Sequence, residues 1–383
     1  MRIIFSFLGL FLTIFATFVT FFSPSTLPIS PLGLYTPTQN NQNLHKNNYV
    51  IFGFAPYWNL KKLTPESLSD ITYFAYFNLL LNGDGSVFTK ANSKEEDPTY
   101  TNYKRLIAGT IKKGAQPLII TFMPESQTAL SKIVSSATSR QATITTIQNI
   151  LLESHATGVN IDFEPLGDIS QNLRNNFTLF IKELHSGLSI SNKQLSISIY
   201  ASAASRPKLW DLGKLTPFTD YFVVMTYDYT MPKNNSAGPN SPLRGSGDLF
   251  EHNIVKNIAE IAKFVPSQKI LLGIPFYGYQ WDTVNSSKYS AVQSKASVAS
   301  LERIQRMLDD KTLELIWDHN TLTPYGIAND NGQITQVYFE NETSIRLKLE
   351  FVKSANLGGI AIWALGYEGN NSWIWPAIRK LNK

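Results

Sequence analysis

The sequence predicts an α/β chain whose main body is a closed (β/α)8 (TIM-type) barrel, and three observations carry that expectation. Short apolar runs rich in β-branched and aromatic residues recur eight times after residue 48. Each is followed by an amphipathic helical pattern or a polar loop, as βαβ units require. The runs are apolar throughout instead of alternating, which suits strands covered on both faces in a parallel sheet. Eight such units favour a closed barrel over an open sheet.

The chain opens differently. After Arg2, residues 3–22 carry no charge and are long enough to cross a hydrocarbon core of ~30 Å. The exit reads FVTFFSPSTLP, without the Ala-x-Ala of a cleavage site, so 1–22 is expected to act as an uncleaved signal-anchor. A cleaved signal peptide is the alternative, and a buried core helix the bland one. Residues 23–48 are rich in Pro, Ser, Thr and Asn and read as a flexible linker. The expectation is an exported protein, held outward on the membrane through its N-terminal segment or secreted if that segment is removed.

Residues 49–383 form the expected catalytic barrel. Its strand candidates are YVIFGFAPYW (49–58), ITYFAYFNLL (71–80), QPLIITFM (116–123) and GVNIDFEP (158–165). They continue with QLSISIYAS (194–202), YFVVMTYDY (221–229), KILLGIPFYGYQW (269–281) and GGIAIWALGYE (358–368). Amphipathic patterns predict helices over 100–113, 140–155, 172–188 and 253–264. The stretch between the last two runs is too long for one connection. It holds its own strand-like pieces, LELIWD and QVYFE, and reads as a small α+β insertion over about 282–345.

Composition narrows the function. Hydrophobic residues make up 43% of the 383 residues and charged residues 16%, below the ~25% of an average soluble protein, which excludes a disordered chain. The net charge of +5 is scattered, whereas nucleic-acid binding needs clustered cations. There is no Cys, and the five His show no HExxH spacing, so neither a metal nor another cofactor is expected.

The fourth run carries the chemistry. Strand side chains alternate by face, so Val159, Ile161 and Phe163 form an apolar row toward the helices, and Asn160, Asp162 and Glu164 point into the barrel. Residues two apart lie about 6.6 Å apart along a strand, which makes Asp162 and Glu164 titrating neighbours. Glu164 falls at the C-terminal end of its strand, the end where barrel enzymes place their active sites. From the residues alone two readings stay open. The carboxylates are catalytic, or they are satisfied by Arg, backbone or a hard cation.

GVNIDFEP resembles the DGxDxDxE signature of glycoside hydrolase family 18, the chitinase-like family. Met225-Thr226-Tyr227-Asp228 resembles that family's sixth-strand MxYD motif, and Trp363 the eighth-strand Trp. FAPYW and LGIPFYGYQW agree in character, so the resemblance covers roughly 49–383. It departs at two positions: Thr157 stands where the motif's first Asp would be, and Asn160 where its middle Asp would be. Asn at the middle position is similar to bacterial cell-wall-lytic relatives of the spore-cortex type.

The resemblance implies roles. Glu164 would be the general acid and then the base. Asp162 would orient the substrate's acetamido N–H, and Tyr227 would hydrogen-bond the acetamido carbonyl. Trp363 would floor the sugar site, shaped by Asp228, Met225 and Asn160. Tyr57 is a candidate rim contact, and Tyr279 and Trp281 weaker candidates for cleft walls. The nucleophile would be the substrate's own acetamido oxygen, giving retention. The implied substrate is an N-acetylated polysaccharide with β-1,4-linked N-acetylglucosamine, in peptidoglycan or chitin, cleaved by a monomer. The alternative is a chitinase-like protein that binds sugar without cleaving it. Such proteins commonly lose the terminal acid, which here is Glu164.

Overall fold

Eight parallel strands close on themselves, in the order expected for a barrel wound once around its axis. They are β1 (Val50–Pro56), β2 (Tyr73–Leu81), β3 (Leu118–Pro124), β4 (Gly158–Ile161), β5 (Gln194–Tyr200), β6 (Tyr221–Met225), β7 (Ile270–Pro275) and, after five further strands, β13 (Gly359–Trp363). β13 sits between β7 and β1, with Val50 opposite Gly359. The computed structural model describes residues 49–90, 95–109, 114, 116–245 and 250–382. The expected anchor at 1–22 and linker at 23–48 lie outside the described residues. Among the described residues, no helix is long and apolar enough to cross a membrane.

The helices between strands are α1 (Pro65–Ser69), α2 (Pro98–Ile107), α3 (Gln127–Ser135), α4 (Ala137–Glu153), α5 (Gln171–Ser189), α6 (Leu212–Leu215) and α7 (Ile254–Ile261). The periodicity finds α2, α4, α5 and α7 but misses α3. Ser136 hides that boundary by serving both helices. Its N–H closes α3 on the Lys132 carbonyl, and its hydroxyl caps α4 by accepting from Ser139 N–H at 3.2 Å.

The run 269–281, read as one strand, is two. β7 stays in the barrel, while β8 (Tyr277–Thr283) starts a separate antiparallel sheet. That sheet has the order β10-β11-β12-β8-β9, with β9 (Ser297–Ser300), β10 (Glu314–Asp318), β11 (Thr323–Asp330) and β12 (Gln333–Tyr338). Its strands therefore span residues 277–338, beginning five residues before the expected start. Hydropathy cannot mark the hand-off because β7 and most of β8 are buried. Gly278 permits the close approach of β8 to β12, since a Cβ there would lie 2.1 Å from the Tyr338 carbonyl oxygen. Helix α8 (Leu301–Asp309) packs within the insertion, and α9 (Glu342–Ser354) leads back into β13. At its entry, Lys348 Nζ meets Glu340 Oε2 at 2.7 Å with both side chains fully buried.

The barrel interior is divided. Val50, Phe52, Phe54, Ala75, Phe77, Ile119, Val223, Leu271 and Ala361 form an apolar cluster on β1, β2, β6, β7 and β13 that reaches the lower part of β3. Across β3 to β5 the corresponding register holds Thr121, Asn160 and Ser196, all fully buried. Outside β4, Phe163 stacks on Phe180 of α5 at 5.7 Å and meets Phe177 at 6.1 Å. Alternation along the fourth strand thus works as the sequence predicts: apolar row outward, polar row inward.

Candidate active site

Regular β4 ends at Ile161, one backbone rung carries it to Asp162, whose N–H bonds the Phe122 carbonyl, and Glu164 stands beyond at the C-terminal mouth. Beneath it, Asn160 is locked by the neighbouring strand. Its Nδ2 donates to Ser196 Oγ at 3.1 Å and its Oδ1 accepts from Ser198 Oγ at 3.1 Å. The amide orientation is therefore set by β5. The Ser198 hydroxyl lies against the Asp162 carboxyl as well, whose Oδ1 is buried without a partner.

Three carboxylates gather here, and no basic side chain is among the groups that shift them. Burial pushes Asp162 well above the usual range, and the charge of Glu164 adds to it, against the Ser198 hydroxyl. Burial raises Glu164 as well, helped by the charge of Asp228 and opposed by a hydrogen bond from Tyr200. Asp228 is raised by burial, opposed by the hydroxyls of Tyr277 and Tyr279. Both donate to its Oδ1, Tyr279 at 2.8 Å. Asp228 takes a left-handed backbone at φ 61°, and its N–H is held by Asn240 Oδ1 at 2.8 Å. Tyr227 is held protonated by burial and then by the charges of Asp162, Asp228 and Glu164, so its hydroxyl is available as a donor. Buried acids whose charged forms are disfavoured by burial and by one another are the arrangement a proton-transfer site needs.

Trp363, at the end of β13, packs against both the cluster of the barrel interior and the tyrosine-rich cluster of the second sheet. It contacts Phe77 at 4.5 Å and Phe54 at 5.9 Å from the barrel interior, and Trp58 at 6.4 Å toward the rim. Trp58 is exposed and donates its indole N–H to Tyr367 at 3.2 Å. Tyr57 stacks edge-on against Trp58 at 4.9 Å and so stands one ring removed from Trp363. Met225 closes β6, in register with Tyr200.

The structure thus brings Asp162, Glu164, Tyr227 and Asp228 together, with Trp363 packed against the same tyrosine cluster. Tyr279 does not wall the cleft freely; it is buried and spends its hydroxyl on Asp228. Trp281 is not a wall at all. It is fully buried between Tyr279 and Tyr338 in the core of the second sheet. Sequence reasoning missed Tyr200, Ser198, Asn240, Tyr277 and Trp58. The first two sit in the QLSISIYAS run, whose even-numbered polar positions, in register with Asn160, were the available signal.

Behind the rim, Glu368 is fully buried, with Oε2 accepting from Gly366 N–H at 2.6 Å and Oε1 unpartnered. Burial pushes it up from 4.5 to about 7, against nearby backbone N–H groups. The folded state therefore holds this proton more tightly than the unfolded chain. Its contribution to stability is complete below the ordinary carboxylate range and is lost as pH rises through about 7. The loss is about 3 kcal/mol. Glu368→Gln is expected to flatten the melting temperature between about pH 5 and pH 8; an unchanged slope would show that Glu368 titrates normally.

The chain matches the family model described as glycosyl hydrolases family 18 over residues 31–368. It is 23% identical over 323 residues to the uncharacterized glycosylase YvbX of Bacillus subtilis, covering 81% of this chain and 86% of that protein. It is 25% identical over 311 residues to the cortical fragment-lytic enzyme of Bacillus anthracis, covering 79% of this chain but 66% of the relative. Among solved structures, a Group IV chitinase of Ostrinia furnacalis in complex with allosamidin superposes with a TM-score of 0.75 at 18% identity, covering 88% of this chain and 98% of that one. A family 18 N-acetylglucosaminidase from Paenibacillus barengoltzii superposes with a TM-score of 0.72 at 21% identity, covering 87% and 100%. A family match over most of the chain and a barrel of the same architecture agree with the site's position at the strand ends: the chain belongs to glycosyl hydrolases family 18 and is a glycoside hydrolase.

Proposed function

We propose that the protein cleaves β-1,4-linked N-acetylglucosamine glycan with retention, using the substrate's own acetamido group as nucleophile. The observation that carries this reading is Glu164 at the mouth with Asp162 immediately below it, both pushed toward their protonated forms by burial. Glu164 gives its proton to the glycosidic oxygen as the C1–O bond breaks and the acetamido oxygen bonds C1. Asp162 accepts from the acetamido N–H and so orients it; the positive charge growing there favours the ionised form of Asp162, which then offsets that charge. Tyr227 donates to the acetamido oxygen, and Trp363 supports the ring. Glu164, now ionised, then takes a proton from the water that attacks C1, and the acetamido group reopens.

Cell-wall glycan is the favoured substrate. Asn160, the relative named cortical fragment-lytic enzyme, and the apolar segment at 3–22 support it over chitin. The test is turnover of purified peptidoglycan beside chitin oligomers, with a thiazoline that mimics the cyclised acetamido group as inhibitor. Competitive inhibition is expected, together with inertness of substrates bearing a free 2-amine at the cleaved sugar. Efficient cleavage of such de-N-acetylated glycan would defeat the mechanism.

A further inference from the structure

Beyond Asp162 the chain that carries Glu164 loses its β-sheet neighbour. The last rung from β3 is the Phe122 carbonyl. After it β3 follows β2 instead, through Met123 opposite Leu80 and Pro124 opposite Leu81, and the Glu125 N–H goes to the Leu81 carbonyl. Residues 164–166 are therefore left without ladder partners on the β3 side: the Pro165 carbonyl accepts from the Tyr200 hydroxyl of β5 at 3.5 Å, and Pro165 has no N–H to offer. The side chain of Gln127, first residue of α3, fills the gap. Its Nε2 donates to the Glu164 carbonyl at 2.9 Å, and its Oε1 accepts from the Leu166 N–H at 2.9 Å. A primary amide presents the same donor and acceptor as a peptide unit, so Gln127 replaces the missing rung.

We propose that Gln127 is a positioning residue for catalysis: by pairing with the backbone of Glu164 and Leu166 it holds the acid where the glycosidic oxygen will lie. The proposal rests on Glu164 being the acid. Three holds then act on this short segment from different sides. Phe163 is pinned outward against Phe177 and Phe180, the Tyr200 hydroxyl of β5 donates to the Pro165 carbonyl at 3.5 Å and stabilises the charged Glu164 carboxyl beside it, and Gln127 grips the backbone from the β3 side. The first is hydrophobic and survives loss of the others. It fixes the strand but not the peptide orientation at Glu164 and Leu166, which the amide determines. Ser126 in turn anchors Gln127, capping α3 by accepting from Ala129 N–H at 3.0 Å.

Gln127 is solvent-exposed, so Gln127→Ala is expected to fold with an unchanged melting temperature. Its kcat on an unactivated N-acetylated oligosaccharide should fall by about 10-fold to 10²-fold with KM little changed, since misplacing a catalytic group costs rate more than binding. On a dinitrophenyl glycoside, whose leaving group departs without a proton, the loss in the first step should be under about 2-fold. Exchange of the Leu166 amide hydrogen should accelerate as it loses its acceptor. Gln127→Glu, which keeps the acceptor for Leu166 and loses the donor to Glu164, should restore amide protection without restoring kcat. Equal losses on both substrates would mean a general structural role and overturn the proposal, as would an unchanged kcat. Glu164→Gln, run alongside, separates the two readings. If it retains activity the acid is misassigned, whereas if it is inactive and Gln127→Ala is fully active only the clamp fails.

Discussion

Glu164→Gln is expected to lower kcat on an unactivated N-acetylated oligosaccharide by at least about 10²-fold while oligosaccharide binding persists. Gln matches Glu in shape and still accepts the hydrogen bond from Tyr200, so the pocket keeps its form. What disappears is the transferable proton. Burial and the Asp228 charge raise Glu164, so the wild-type acid remains protonated to higher pH than an ordinary Glu. The alkaline limb of the kcat/KM profile should accordingly lie above the usual carboxylate range, and the variant should lack it. Removing that charge also removes one of the two influences that raise Asp162. Asp162 should then titrate lower in the variant, a shift readable by carbon NMR of the labelled carboxyl. Near wild-type rates in Glu164→Gln would show that another group supplies the proton.

The largest expected effect on stability lies far from the reaction. Lys348→Met should cost about 3–5 kcal/mol, because it leaves Glu340 charged, buried and without its cation. Burial already drives Glu340 up and Lys348 down, in both cases against their mutual attraction. One oxygen of Glu340 has no partner even in the intact pair. The pair is thus held together by the cost of breaking it more than by what it contributes. In the variant Glu340 should escape by taking up a proton, so the defect should shrink as pH falls. Lys348→Met combined with Glu340→Leu should recover most of the loss. Denaturant unfolding at two pH values measures both; a single variant within about 1 kcal/mol of wild type would mean that water reaches Glu340.

Much of the barrel is legible because a strand covered on both faces announces itself by composition. The same property defeats the reading where one buried strand hands over to another, as between Pro275 and Tyr277. Length was the warning: a thirteen-residue run exceeds the usual strand of about 5–6 residues. The acid pair is legible because charge on an inward row is costly enough to demand a reason. Trp281 misleads because a large aromatic residue is equally at home in a cleft or a core, and only its neighbours Tyr279 and Tyr338 decide. Gln127 and Tyr200 are hidden for another reason. Gln127 serves a backbone 37 positions away with nothing local to mark it, whereas Tyr200 shares the inward polar row of its strand with Ser196 and Ser198 but has its carboxylate neighbour, Glu164, beyond the regular end of β4.

The closure of β1 on β13 governs when the protein becomes an enzyme. Tyr49 and Asn382 bond each other across 333 positions, and Gly359 fits against Val50 only because it has no side chain, a Cβ there lying 2.0 Å from the Val50 carbonyl oxygen. Without β13, β1 and β7 are both open edges, able to pair with any strand they meet. Contacts this distant also form slowly. The strand that seals those edges is the one that ends in Trp363, so sealing the barrel and placing that ring at its mouth are one event. A chain cut short before β13 would be an unsealed sheet without the Trp363 ring. Activity is therefore expected only from a closed ring of strands.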